Sequence, residues 1–518
     1  MGARRAAWRL LACAVMGLAV SSGLGVGYAT RHSSHDGFYR ASVHDPGPSV
    51  HPSRPRRTVV FVVDGLGHLE AEAMPSLARL GEIGQCRVTD VGPLSVSRPV
   101  YAVMSTGLEQ DRTGARGNDD TTPLAAESIW AIARHAGLRV SGVSEVPWWQ
   151  ELFPDGFDAY VVAPPGQDYV PLAPPADVQL VHPVYVDDIG HESGAGSAAY
   201  RQAVVRVNGE IEELLATLDL SRDLVLVTAD HGHTLRGGHG GRQDRVARTL
   251  SCYAGVGVRP MSARGTMSAT LIAPSLALLL GLPFPSSMRA GEDDLDTLFA
   301  IADPAAFPAG YLEERQATVE RFRAANAARL RGWLSSSDGR WSRFRAYHRE
   351  QQALGVLPCV LLALLVLAIQ AGAQWRRGRS AWFGSALVLG LFAAMLITQV
   401  AVHGSFDLSS VSTREDFLTF TILMSLAWCA LAAYVDLRVR GDAHGLVLDW
   451  TALSLIATLL AVVHPLVFGW RVGYPAPPAE LFFYPYFAAL ALGAVQVTAI
   501  VLVAYALRTT ASESGAKR

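Results

Sequence analysis

Lysine is all but missing from this sequence: among 518 residues the one lysine is Lys517, and arginine carries the remaining basic charge. A Schiff base, a P-loop or any other chemistry that needs a lysine within a site is thereby excluded. Charge of either sign is also scarce, at 17% of residues against about 25% in soluble globular chains. With 50% hydrophobic residues, this points to a membrane protein or to a soluble domain joined to one. A net charge of -2 provides no field to attract nucleic acid. Cysteine is sparse: Cys13, Cys86, Cys252, Cys359 and Cys429 form no CxxC pair, and three of them lie in apolar runs. Neither a disulfide scaffold nor a cysteine-zinc site is supported, and the one pair that could link, Cys86 with Cys252, is expected to stay unpaired.

What the chain does have is long apolar runs, unevenly placed. They cover Trp8 to Tyr28, Ala353 to Ala373, Ala381 to Val402, Phe417 to Val435, Leu448 to Trp470 and Leu481 to Leu507. Each approaches or exceeds the roughly 20 residues that cross a bilayer as a helix, which predicts six spans. Arg4, Arg5 and Arg9 precede the first, Arg376, Arg377 and Arg379 follow the second, and Arg438 and Arg440 follow the fourth. The positive-inside rule then puts both termini in the cytoplasm and the long segment between the first two spans outside. Ser21, Ser22 and Gly23 also allow the first span to be a cleaved signal peptide, with the same orientation for the rest. The expected organisation is a signal anchor over 1–28, a linker over 29–56 and a catalytic domain over 57–310. A helical connector over 311–352, a five-helix transmembrane domain over 353–507 and a cytoplasmic tail over 508–518 follow.

Residues 29–56, rich in Ser, Pro and His, read as a solvated tether. Beyond them, short β-branched runs alternate with helical patterns, as an α/β domain with a largely parallel sheet flanked by helices requires. The runs Thr58 to Val63, Leu138 to Val143, Pro183 to Val186 and Leu224 to Val227 predict buried strands. Glu70 to Leu80, Ala125 to Ala136, Ala198 to Leu215 and Tyr311 to Leu334 predict helices.

Ligand-type residues gather where those strands end. Asp64 follows the first run, Asp187 and His191 follow the third, and Asp230 and His231 follow the fourth, with His233 and His239 in the glycine-rich stretch after it. Open α/β sheets bind ligands at the carboxyl ends of their strands. Carboxylates and imidazoles in this number suit zinc or manganese and exceed the needs of one tetrahedral ion, so two metals are implied. Several carboxylates at one sheet end would otherwise repel one another. Ser97 has N-cap character, and Pro99 suits the first turn of a helix running to Thr106. The segment reads either as an ordinary helix cap or as a helix N-terminus that aims N–H groups at an anion while Ser97 supplies a nucleophilic oxygen.

In this order the motifs resemble the alkaline phosphatase superfamily, in particular its phosphodiesterase and nucleotide-pyrophosphatase-like branch together with the GPI ethanolamine phosphate transferases. The resemblance covers roughly residues 57 to 290. It rests on the strand-end Asp64, on Ser97-Arg98-Pro99, on Asp187 to His191 read as D-x-x-G-H, on Asp230-His231-Gly232, and on Gly237-Gly238-His239-Gly240. It implies one divalent metal, zinc by family habit with manganese as the alternative, held by Asp187, His191 and His239. A second would be held by Asp64, Asp230, His231 and the Ser97 oxygen. Ser97 would be the nucleophile, with Asn118 and Arg98 as donors to phosphate. His233 stands where such relatives usually have Met and is expected to support a ligand rather than bind metal itself. A sulfatase would need an Arg two residues beyond the Pro, and Tyr101 stands there. Asn118, Asn208 and Asn326, the three asparagines, all lack a glycosylation sequon, which favours a bacterial cell membrane over that of the ER.

The expected function is a membrane-bound two-metal phosphotransferase that moves a phospho-headgroup such as phosphoethanolamine from a lipid donor through a phosphoserine. The alternatives are a membrane-anchored phosphodiesterase or phosphatase and a metal-binding scaffold without catalysis. The expected partner is a membrane lipid or lipid-linked substrate, with no nucleic acid.

Overall fold

The five apolar residues after Thr58 build a strand whose side chains are all buried, β1 (Thr58–Val63). In the computed structural model it lies inside an eight-stranded sheet with β2 (Gln85–Asp90), β3 (Val140–Ser144), β4 (Ala159–Val162), β5 (Val178–His182), β6 (Leu224–Ala229), β7 (Arg248–Gly255) and β8 (Gly265–Ser268). The structure describes residues 44–335 except 93, 116, 119–120, 262–264, 287 and 289–291, and beyond them 368, 381–403, 409 and 414–440. Strand order is β4-β3-β5-β1-β6-β7-β2-β8. β7 runs antiparallel to both its neighbours and every other pairing is parallel, so the sheet is mixed but largely parallel.

Alternation along β1 divides the core in two. Val60 and Val62 face the layer that includes helices Ser97–Thr106 and Ile272–Leu280. Val59, Phe61 and Val63 face the layer of helices Pro75–Ile83 and Ala198–Ala216. The register pairs Val63 with Ala229, so the residues that follow, Asp64 and Asp230, emerge side by side.

Several expectations need correction. The run Pro183 to Val186 is not a strand; the strand is β5, and Tyr185–Ser193 is a helix. Gln179 and His182 interrupt the apolar run of β5, which hid it from a reading that sought continuous hydrophobic stretches. The helix expected over Glu70 to Leu80 divides into His68–Glu72 and Pro75–Ile83, because Pro75 suits only a first turn. The helix expected from Ala125 begins at Ile129, where the Ser128 side chain accepts from the Ala131 N–H. Cys86 and Cys252 do form a disulfide, joining directly opposed positions of β2 and β7.

Part of the expected tether is docked rather than solvated. Asp45 is buried, accepts from Phe284 N at 2.7 Å and pairs with Arg315 at 2.8 Å. Ser49 bonds Glu314 through both its N–H and its hydroxyl. The helix Tyr311–Ser335 correspondingly packs Tyr311, Arg315, Thr318, Val319 and Phe322 inward, a helical stripe, so its first turns belong to the globular core.

Of the expected spans, Trp8 to Tyr28, Ala353 to Ala373 apart from Ala368, Leu448 to Trp470 and Leu481 to Leu507 lie outside the described residues. Two others fall on helices Ala381–His403 and Arg414–Arg440, where Trp428 donates to Thr398 at 3.0 Å. Among the described residues no helix is long and apolar enough to cross a membrane.

Candidate metal centre and nucleophile

Three segments bring carboxylates to one end of the sheet. Asp64 and Asp230 leave adjacent parallel strands, and the chain after Asp64 turns sharply at Gly65, whose φ is +77°. A Cβ on Gly65 would lie 2.7 Å from the Asp187 Cα, so only glycine lets the third carboxylate approach. Asp187 and His191 sit one turn apart on the helix Tyr185–Ser193 and therefore share a face, with Nε2 3.3 Å from Oδ2. The expected D-x-x-G-H spacing is thus a helical one, not a strand end. Asp188, on the next position, is exposed.

Around the His231 imidazole, Nε2 lies 3.4 Å from Asp64 Oδ1, 3.3 Å from Asp230 Oδ2 and 3.3 Å from Ser97 Oγ. Asp64, Asp230 and His231 are fully buried, and Ser97 is nearly so. Neither Asp64 Oδ1 nor Asp230 Oδ2 has a hydrogen-bond partner. Burial, with the charges of Asp64 and Asp187 added, pushes the Asp230 carboxyl well above the carboxylate range. Two orphaned carboxylate oxygens, an imidazole nitrogen and a hydroxyl facing one another have the donor chemistry of a divalent-cation site.

A second set adjoins the first. His239 Nε2 faces His191 Nε2 at 3.1 Å and lies 3.8 Å from Asp187 Oδ1. Nitrogen facing nitrogen beside a carboxylate again suits a shared cation. Burial would raise the Asp187 carboxyl, but hydrogen bonds from His191 and His233 hold it well below its usual range. Burial lowers both His231 and, more strongly, His239, which favours the neutral imidazoles that bind metals. His233 is fully buried, with Nε2 2.7 Å from Asp187 Oδ1. Its ring fills the space over Gly190, where a Cβ would lie 2.3 Å from it. Groups able to hold a metal therefore include Asp64, Asp230 and His231; Asp187, His231 and His239; and Asp187, His191 and His233.

Ser97 opens the helix Ser97–Thr106 as its first residue; the N-cap is Val96 and no side chain caps it. The expected capping role is not the one observed, and the hydroxyl turns to the site instead. Asn118 bridges here, accepting from Arg98 N at 3.0 Å and donating to Ser97 Oγ at 3.3 Å. Arg98 is buried, paired with Glu151 and placed over the Trp148 ring at 5.0 Å. Its guanidinium already has a carboxylate partner.

The sequence reading missed Tyr101, Ser144 and His182. All three are fully buried, and Tyr101 donates to Asp64 Oδ2 at 2.5 Å. One signal was legible, since Tyr101 stands four residues after Ser97 on one helix; His182 ends β5, a strand the hydrophobic pattern did not place, just before Pro183, whose carbonyl accepts from Asp64 N.

No protein-family model matches the chain. It is 23% identical over 463 residues to the catalytic subunit of GPI ethanolamine phosphate transferase 3 of Mus musculus, covering 76% of this chain and 42% of that protein. Against the Homo sapiens protein it is 24% identical over 509 residues, covering 85% of this chain and 45% of that one. The chain thus spans less than half the length of these curated relatives. Among solved structures, murine ectonucleotide pyrophosphatase/phosphodiesterase 5 matches with a TM-score of 0.38 at 13% identity, over 47% of this chain and 99% of that one. A protein in the alkaline phosphatase superfamily from Vibrio parahaemolyticus matches with a TM-score of 0.36 at 13% identity, over 51% of this chain and 76% of that one. By matched sequence, the chain is similar to GPI ethanolamine phosphate transferase 3, in line with the resemblance its motifs carry.

Proposed function

We propose that this protein is a membrane-bound, metal-dependent phosphotransferase that moves a phospho-headgroup, such as phosphoethanolamine, from a lipid donor to an alcohol acceptor through a phosphoserine at Ser97. The observation that carries this reading is the buried convergence of Ser97 Oγ with Asp64, Asp230 and His231, two of whose carboxylate oxygens have no other partner. Asp64, Asp230, His231 and Ser97 would hold one divalent ion, and Asp187, His191 and His239 another, with His233 supporting Asp187. Zinc suits this nitrogen-and-oxygen donor set, and manganese is the alternative. When bound, such ions supply the positive charge that offsets phosphate oxygens and makes a hydroxyl a competent nucleophile.

The chain's own residues then have distinct tasks. Asn118 donates to Ser97 Oγ and accepts from the Arg98 N–H, which holds the nucleophile against the first turn of the helix it opens. Ser97 Oγ attacks phosphorus, the bond to the lipid oxygen breaks, and diacylglycerol departs with a proton. An acceptor hydroxyl next attacks the same phosphorus, the bond to Oγ breaks, and Ser97 is regenerated. A lipid donor is supported by contacts of the His239 loop with the apolar helix Ala381–His403 and with Ser409 beyond it: Arg236 donates to Val402 O, and Gly241 N donates to Ser409 Oγ at 2.8 Å. The disulfide supports an extracytoplasmic catalytic domain, because such links persist in oxidising compartments.

The test is incubation of purified protein with headgroup-labelled phosphatidylethanolamine, with and without an alcohol acceptor. Acceptor-dependent release of diacylglycerol, with label in the acceptor, supports transfer. Label released into water at the same rate without acceptor would replace transfer with hydrolysis, and no turnover with either zinc or manganese would overturn the enzymatic reading.

A further inference from the structure

Beneath the candidate metal centre runs a chain of hydrogen bonds that the mechanism above does not use. Tyr101 OH donates to Asp64 Oδ2 at 2.5 Å, and its oxygen lies 3.0 Å from His182 Nε2. His182 Nδ1 lies 2.7 Å from Ser144 Oγ. The Tyr101 proton is committed to Asp64, so its oxygen accepts and His182 must carry its proton on Nε2. The bare Nδ1 then accepts from the Ser144 hydroxyl. Every donor in the chain points toward Asp64, the arrangement in which successive bonds polarise one another.

The parts are held where rotation is costly. Tyr101, His182, Ser144 and Asp64 are all fully buried. The Tyr101 ring stacks on Trp149 at 4.2 Å between centroids, and His182 meets both rings edge-on. Tyr101 is also one helical turn beyond Ser97, so the helix that presents the nucleophile fixes this tyrosine with it. The consequence falls on the two oxygens of Asp64. Oδ2 is occupied by Tyr101, whereas Oδ1 has no hydrogen-bond partner and faces His231 and the rest of the cluster.

We infer that Ser144, His182 and Tyr101 form a positioning relay that locks the Asp64 carboxylate with one oxygen spent and the other presented to a divalent cation. The inference rests on the metal-centre reading above and assigns three residues to the support of one ligand. Neutral hydrogen-bond partners of ligating residues set ligand orientation and basicity, and their loss typically costs about ten- to a hundredfold in metal affinity.

The experiment is a zinc titration of the full-length protein against a competing chelator, with circular dichroism and thermal unfolding of the metal-free forms as fold controls. Tyr101→Phe removes one oxygen and keeps the ring stack, and it is expected to weaken zinc binding about ten- to a hundredfold. Ser144→Ala, two bonds removed from Asp64, is expected to weaken it by less. The double variant Tyr101→Phe/Ser144→Ala should bind as Tyr101→Phe does, because the relay is already cut. Asp64→Ala marks the loss of the ligand itself. If Asp64→Ala weakens binding while Tyr101→Phe does not, or if the two relay substitutions simply add, the relay is overturned and the metal centre stands. If the wild-type protein takes up no divalent metal, the metal-centre reading falls and the relay with it.

Discussion

Arg98 directs its guanidinium at Glu151, across the gap between the helix that Ser97 opens and the helix Trp148–Leu152. Arg98 is almost fully buried, whereas the Glu151 side chain is about one-third exposed. Removing the carboxylate leaves a buried cation without this partner, which is costlier than the intact pair is stabilising. Glu151→Gln is therefore expected to lower unfolding free energy by about 1–3 kcal/mol, below the about 3–5 kcal/mol of a fully buried pair given the exposure of Glu151. Denaturant unfolding of the two proteins checks it; an unchanged midpoint would show that the pair contributes nothing.

Ser97→Ala should remove turnover by roughly three orders of magnitude or more, as losses of a covalent nucleophile do. Metal content measured on the same sample should stay near the wild-type value, because Asp64, Asp230 and His231 remain. Retained activity would take the nucleophile assignment away from Ser97.

The Cys86–Cys252 link closes a separation of 166 residues and joins neighbouring strands of the sheet. Cutting so long a loop free restores much entropy to the unfolded chain. Cys86→Ala/Cys252→Ala is expected to cost about 2–5 kcal/mol, read as a fall in Tm relative to wild type under non-reducing conditions.

Asp45 and Arg315 form a pair with 1% and 0% side-chain exposure, and the Arg315 guanidinium also lies 3.8 Å from the Phe284 ring centroid. Asp45→Ala strands that cation and should cost about 3–5 kcal/mol, while Asp45→Ala/Arg315→Met should recover part of the loss. Urea unfolding of the single and double variants decides it; no recovery in the double variant would locate the cost in packing rather than charge.

Burial pushes the Glu210 carboxyl up to about 7 from an ordinary 4.5, despite its bonds from Tyr185 at 3.1 Å and Arg206 at 3.0 Å. Between these values the folded protein binds more proton than the unfolded chain, so this residue's contribution to stability falls as pH rises. It is fully present below about 4.5 and lost through about 7. Glu210→Gln cannot titrate. The stability of wild type relative to this variant should decline from pH 4.5 to 7 and level off above; a flat difference would refute the shift.

The candidate ligand residues were legible because their chemistry is local. Asp64 ends an apolar β-branched run and Asp230 another, and a sequence pattern shows both directly. His182 was not legible, since Gln179 and His182 break the hydrophobic run of β5 and displaced the expected strand by several residues. Tyr101 stood out only as the residue in place of a sulfatase's Arg, within the helix expected to run to Thr106. The docking of Asp45 onto Arg315 was hidden because polar residues in a Pro-rich stretch also suit open solvent.

By itself the amino-acid sequence determined which residue types are available for chemistry: lysine occurs only at position 517, and Asp64, Ser97, Asp187, His191, Asp230, His231 and His239 stand in a recognisable order. Side-chain periodicity and chemical identity are local properties, so they survive in one dimension. Only the tertiary structure decided which oxygen of Asp64 is spent on Tyr101, that Cys86 meets Cys252 across 166 residues, and that Arg98 is claimed by Glu151. Each of these is a contact between elements, set by strand register and helix packing, and such contacts leave no periodic trace in sequence.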